Sequence, residues 1–189
     1  MKNMKVKLSG LDRILLHNNQ MLIPKNYYKI EFDKVKNKKP KTEADLERLA
    51  NIEFHAGLYL DDNVVVIPVK MQIATFVKGA MKDKKGPVAK AGVYFDKNSP
   101  LIFDGDGMTP EELYEDGEFT STEIVRVGMS SVPRVRPMFP DWSVEIEMTY
   151  DEDIIDADVI LQAWRRAGQL IGMGDWRPRY GRFTVSEAA

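Results

Sequence analysis

The chain has 189 residues, 43% hydrophobic and 10% aromatic, enough for a domain of ordinary size with its own core and too apolar for a disordered segment. It contains no cysteine, which excludes a disulfide scaffold, a thiolate nucleophile and a cysteine-based zinc site. The formal net charge is −2 and the opening MKNMKVKLSG has no apolar signal core; no apolar run approaches the roughly 18 residues of a membrane span. A cytoplasmic protein with no membrane partner is the expectation.

Met4, Val6 and Leu8 alternate with Lys5, Lys7 and Ser9, which predicts a half-buried opening strand. A polar, lysine-rich connection with Tyr27, Tyr28 and Phe32 follows, up to Pro40. Thr42 and Asp45 have capping-box spacing, and Leu46, Leu49, Ala50 and Phe54 mark one face of a helix ending near Gly57. The β-branched run 64–67 reads as a buried strand stopped by Pro68. Ile73, Phe76, Val77 and Ala80 trace a second helix, dissolving into a mobile basic loop at 83–87. Short strands are expected at 92–95 and 101–103, and a helix start at Thr109-Pro110. Residues 124–136 have two β arms broken by Gly128 and Pro133. Trp142, Val144, Ile146, Met148 and Tyr150 alternate with Ser143, Glu145, Glu147 and Thr149, a strand with an acidic outward face.

From 157 to 171 the apolar residues keep helical spacing, with Asp153 and Asp156 supplying N-cap chemistry and Gly172 where a left-handed end residue is wanted. Beyond it lies a loop carrying Gly172, Gly174, Trp176, Arg177, Arg179, Tyr180, Gly181 and Arg182. Two readings stand side by side. Glycine lets backbone amides turn towards an anion, arginine offers a fork to phosphate, and Trp or Tyr offers a face to a base. Equally, a helix cap followed by a tight turn would carry the same residues with the arginines solvated.

Charge is segregated along the chain. Basic clusters fall at 34–41, 78–90 and 165–182, while 104–123 and 141–158 hold acids and no Lys or Arg. One basic and one acidic face would result, unless folding mixes them. The element order fits an α+β, ferredoxin-like (RRM-like) antiparallel sheet with two core helices. It reads as a single domain over 1–189, with a thumb-like insertion at about 12–60.

Three pieces of the chain resemble the RAMP superfamily, RRM-like proteins that form the backbone subunits and guide-processing nucleases of CRISPR systems. They are Gly10-Leu11 with Leu15-Leu16-His17-Asn18, then Val66-Ile67-Pro68 with 73–78, and the glycine-rich stretch of 170–174 and 177–183. Val69 and Arg182 stand where the family usually has glycine. A compact relative from a phage or mobile element would fit these departures. The resemblance implies phosphate-backbone binding by Arg177, Arg179 and Arg182 with loop amides near Gly172 and Gly174, extended by Lys78, Lys82, Lys84 and Lys85. It implies single-stranded nucleic acid as partner, RNA before DNA, and a homo-oligomer along it or a place in a larger complex.

His17 is the one weak catalytic candidate, because guide-processing members use a histidine near the first strand. Asp104, Asp106 and Glu115 fit an EF-hand frame in part, but Met108 and Thr109 occupy a ligand and the glycine position, so no metal is expected. No cofactor fingerprint is present. Three functions follow: a non-catalytic nucleic-acid-binding protein, a metal-independent endoribonuclease, and a phage structural or anti-defence module that binds protein.

Overall fold

A computed structural model describes residues 1–105 and 107–188, with the side chains of Val127 and Ser130 left out. In chain order the strands and helices are β1 (Lys2–Gly10), β2 (Ile14–Leu15), α1 (Tyr27–Lys36), α2 (Glu43–Gly57), β3 (Leu60–Asp61), β4 (Val64–Ile67), α3 (Val69–Lys82) and α4 (Gly86–Gly92). They continue with β5 (Val93–Tyr94), β6 (Ser99–Phe103), α5 (Pro110–Asp116), β7 (Thr120–Val127), β8 (Ser130–Phe139), β9 (Trp142–Tyr150), α6 (Ala157–Leu170) and β10 (Phe183–Glu187). The fold is α+β with antiparallel pairing throughout the described ladders. It divides into two compact units, Met1–Ile14 with Leu60–Asp106 and Pro140–Ala189, and Leu15–Tyr59 with Gly107–Phe139.

The first unit is a seven-stranded sheet of order β10-β1-β9-β6-β4-β3, with β5 also on β9. Alternation decides which side is core. Val6, Leu8, Val144, Ile146 and Met148 are buried, and the residues between them carry the polar groups of the other face. Phe76 of α3 and Trp164 of α6 complete the core with ring centroids 5.3 Å apart, and Phe95 and Phe183 lie 6.1 and 6.3 Å from Trp164. Helix α3 reaches α6 because Gly79 has no side chain: a Cβ there would sit 2.1 Å from the Ala163 carbonyl oxygen.

In the second unit, α2 packs on α1 and β8, and the strand order is β2-β8-β7. Its core includes Leu16, Phe54, Leu58, Leu113, Phe119 and Phe139. Both of its expected caps form. Thr42 and Asp45 make a reciprocal box at α2, and Thr109 does the same with Glu112 at α5.

Several expectations are corrected. The connection before Pro40 contains α1, capped by the Asn26 side chain, which accepts from the Tyr28 amide at 3.0 Å. Its signal was charge spacing, Lys29–Asp33 and Glu31–Lys34, where only Val35 is buried. The basic loop after α3 is short, because 86–92 coils into α4 with Pro87 in its first turn. Leu46 is 52% exposed, so the inner face of α2 lies later, at residues 52–57. Asp156 occupies the N-cap of α6 without a side-chain hydrogen bond. The acidic strand β9 is not an acidic face either, because Lys5 reaches Glu145 at 2.6 Å and Lys97 reaches Glu147 at 2.7 Å.

Candidate nucleic-acid interface

The C-terminal loop starts from the end of α6, where the Ile171 and Gly172 amides both donate to the Ala167 carbonyl, at 3.0 and 2.9 Å. Gly172 has φ +76°, as expected of a left-handed cap. The loop then closes on itself: the Met173 amide donates to the Gly181 carbonyl at 2.8 Å. Its far side is tied to the segment after β1. Gly181 donates to the Arg13 carbonyl at 2.9 Å, and Leu11 donates to the Arg182 carbonyl at 2.8 Å. Met173 is fully buried beneath it. Gly181 is at φ +74°, and a Cβ there would meet the Met173 carbonyl oxygen at 1.8 Å. Glycine therefore serves close approach of loop to loop. The Gly172 amide, one of the two expected as anion donors, is spent inside the fold, as is that of Gly181. Gly174, between them, is also left-handed, at φ +86°.

What the loop holds outward is a cluster of side chains. Trp176 and Tyr180 stack with centroids 6.3 Å apart and planes 16° from parallel. The guanidinium carbons of Arg13 and Arg179 lie 5.9 and 5.7 Å from the Tyr180 ring centre, within cation–π range. Trp176 has φ +52° and is 37% exposed. A bulky residue is costly in that conformation, by roughly 1–2 kcal/mol, so the surrounding loop imposes it.

The three arginines are not equivalent. Arg182 donates from its amide and from Nε to the two oxygens of Asp12, at 3.0 and 2.8 Å, so it is committed internally. Arg177 is half-buried and Arg179 exposed; among the described residues neither has a carboxylate within ion-pair distance. These two remain able to meet a phosphate. Asp12 and Arg13 were invisible as site residues in the sequence because 170 positions separate Asp12 from Arg182.

The lysines are placed elsewhere in the same unit. Lys78, Lys82, Lys84 and Lys85 are all exposed. Lys85 borders a cleft with Asp158, Val159 and Gln162, at the start of α6. That helix has 14 residues, so its two ends lie roughly 20 Å apart. The lysines thus lie along the side of α6, between Asp158 near its start and Arg166 in its second half. Arg166, on the flank of α6, pairs with Asp83 at 3.2 Å.

The open face of the sheet holds a cleft of about 610 Å³, bordered by Asn3, Lys5, Asp96, Lys97, Glu147 and Thr149 among others, none of them aromatic. Its charges are matched. The Lys97 ammonium pulls the Glu147 carboxyl below its ordinary range, and Glu145 raises Lys5. A base would find no stacking partner there.

His17 belongs to the second unit, half-buried, with its carbonyl accepting from the Tyr59 hydroxyl at 2.9 Å. Asp106 of the EF-hand frame lies outside the described residues. Among the described residues no cluster of three acids or histidines could hold a metal ion, and no helix is long and apolar enough to cross a membrane.

No family model matches the chain, and no curated protein matches it. Among solved structures it is similar to a chain in the cryo-EM structure of the Type III-B Cmr-beta bound to cognate target RNA, with a TM-score of 0.52 and 14% identity. The match covers 98% of this chain and 61% of that one, so this chain spans about three fifths of its neighbour's length. The likeness is one of fold.

Proposed function

We propose that the protein binds single-stranded nucleic acid, RNA before DNA, by gripping the phosphate backbone at the loop beyond α6, and that it acts as a subunit of a larger or self-associated complex. The observation that carries this is the closed glycine loop, which presents Arg177 and Arg179, without carboxylate partners among the described residues, beside the exposed Trp176. Guanidinium supplies the phosphate fork and indole a sequence-tolerant stacking face.

Topology supports the same reading. The elements β1, α3, β5 with β6, β9, α6 and β10 follow one another, and β10, β1, β9 and then β5 and β6 lie side by side. Such an order supports reading the sheet as a ferredoxin-like split βαβ one, in line with the resemblance to the RAMP superfamily. The solved neighbour of similar fold was imaged with target RNA.

Binding of a labelled single-stranded RNA, measured across a range of salt, tests the proposal. Each phosphate neutralised, with release of its condensed counterion, should contribute about 0.7 to the log–log slope. Changing Arg177 and Arg179 together to Ala should lower the slope by about 1.4 and weaken binding at low salt. Unchanged affinity and slope would remove the loop from the interface. Arg182→Ala should leave the slope nearly as it is, because Asp12 already holds that charge.

A further inference from the structure

In the second unit, the end of α2 and the start of α5 bring a histidine against a glutamate. His55 is 8% exposed. Its Nδ1 lies 2.9 Å from the Asn51 carbonyl oxygen. A carbonyl can only accept, so Nδ1 carries the proton and the neutral ring keeps a bare lone pair on Nε2. That Nε2 is buried with no hydrogen-bond partner, an arrangement that costs roughly 1–3 kcal/mol when nothing fills it. What it faces is a second acceptor: Glu111 Oε1 lies 3.8 Å away.

The imidazole is fixed from several sides. Phe54 meets it edge-on at a centroid distance of 5.4 Å, and Tyr114 lies against it at 5.9 Å. Tyr114 donates its hydroxyl to Glu47, so that carboxylate is engaged elsewhere. Glu111 is different. It stands in the first turn of α5 with its side chain 73% exposed, and among the described residues it meets no lysine or arginine. Its charge also reaches α1, where burial first and Glu111 second push the Tyr28 phenol up.

A lone pair and a carboxylate that face each other call for a Lewis acid between them. Imidazole nitrogen and carboxylate oxygen each bind zinc at about 2.0–2.2 Å. Two such bonds reach across the gap of 3.8 Å, and the exposed carboxylate can swing to set the angle. A metal-bound histidine ordinarily donates its other ring N–H to a carboxylate, a backbone carbonyl or water, and Asn51 supplies that carbonyl here.

We propose that His55 Nε2 and Glu111 bind a divalent transition-metal ion of the zinc class, which clamps α5 to α2 and keeps its other positions for water or an incoming ligand. The site shares no residue with the loop beyond α6, and it stands or falls without that loop. A proton on Nε2 would satisfy the same two groups, and the test separates it from a metal.

Zinc alone is titrated into the full chain and followed by calorimetry and by NMR of the ring nitrogens, of which the two histidines give the whole set. One equivalent should shift His55 Nε2 and leave His17 where it is. Glu111→Gln should weaken zinc binding at least about tenfold, the loss seen even when an outer-shell partner is removed. Glu111→His offers an imidazole in place of the carboxylate and should restore binding. Glu111 is exposed, so neither change touches the core, which thermal unfolding without zinc checks. Changing Arg177 and Arg179 to Ala should leave the zinc affinity as it is. No shift at His55 up to about 1 mM zinc, the weak end of measurable binding, would overturn the proposal and leave a proton as the only occupant. Equal zinc affinities for wild type and Glu111→Gln would overturn it as well.

Discussion

At the residue scale, the loop beyond α6 depends on positions where a side chain has no room. Gly181→Ala combines a left-handed φ of +74° with a Cβ 1.8 Å from a carbonyl oxygen. Chemical denaturation should show a loss of at least ~3 kcal/mol. Gly117 is a control: it has φ +79° but open space around it, so Gly117→Ala should cost only about 1 kcal/mol. Equal losses would mean that the contact with Met173 contributes nothing. Trp176 separates backbone from ring. Trp176→Gly relieves the φ of +52° and Trp176→Ala does not, so Gly should be the more stable of the two in thermal unfolding. Both should weaken RNA binding by about 1–3 kcal/mol per stacked base, measured by fluorescence titration. The residue types at this site were plain in the sequence. Which arginine was free was not, because Asp12 finds Arg182 only through folding.

At the element scale, helix ends and helix contacts can be probed separately. The Lys38 ammonium and then the Thr42 amide hold the Asp45 carboxyl down at about 2, against an ordinary 3.8. A depressed carboxylate stabilises the fold fully above its unfolded value and loses that contribution as pH falls through the folded one. Amide protection at the start of α2, taken relative to the intrinsic exchange rate at each pH, should therefore fall as pH drops from about 4 towards about 2. Lys38→Ala should shrink that pH step, because the Lys38 ammonium is the largest cause of the depression; a step of unchanged size would place its origin elsewhere. In the first unit, Gly79→Ala pushes a methyl group against the backbone of α6 and should cost about 3 kcal/mol on denaturation. The elements with strong periodicity, β9 and α6, were legible from sequence alone. Helix α1 was not, since it buries one residue and rests on charge pairs.

At the scale of the whole molecule, a net charge of −2 gives little long-range attraction for a polyanion, so binding must be local and salt-sensitive. With Lys85 beside Asp158 and Asp83 paired with Arg166, the lysines lie along the side of α6, and replacing Lys82, Lys84 and Lys85 by Ala should lower the salt slope more for longer strands than for short ones. The comparison is between oligonucleotides of about 4 and about 16 nucleotides, the span of known single-strand sites. An equal effect on both lengths would contradict the separation. Composition and periodicity by themselves determined that the chain folds as α+β, where its strongest strand and last helix run, and which residue types could meet phosphate. Only the tertiary structure decided that 107–139 joins 15–59 in one compact unit, that acids on β9 are neutralised, and that the amides of Gly172 and Gly181 are used internally. The reason is physical: periodicity records how a segment meets the core, whereas charge pairing and hydrogen-bond satisfaction depend on partners far away in the chain.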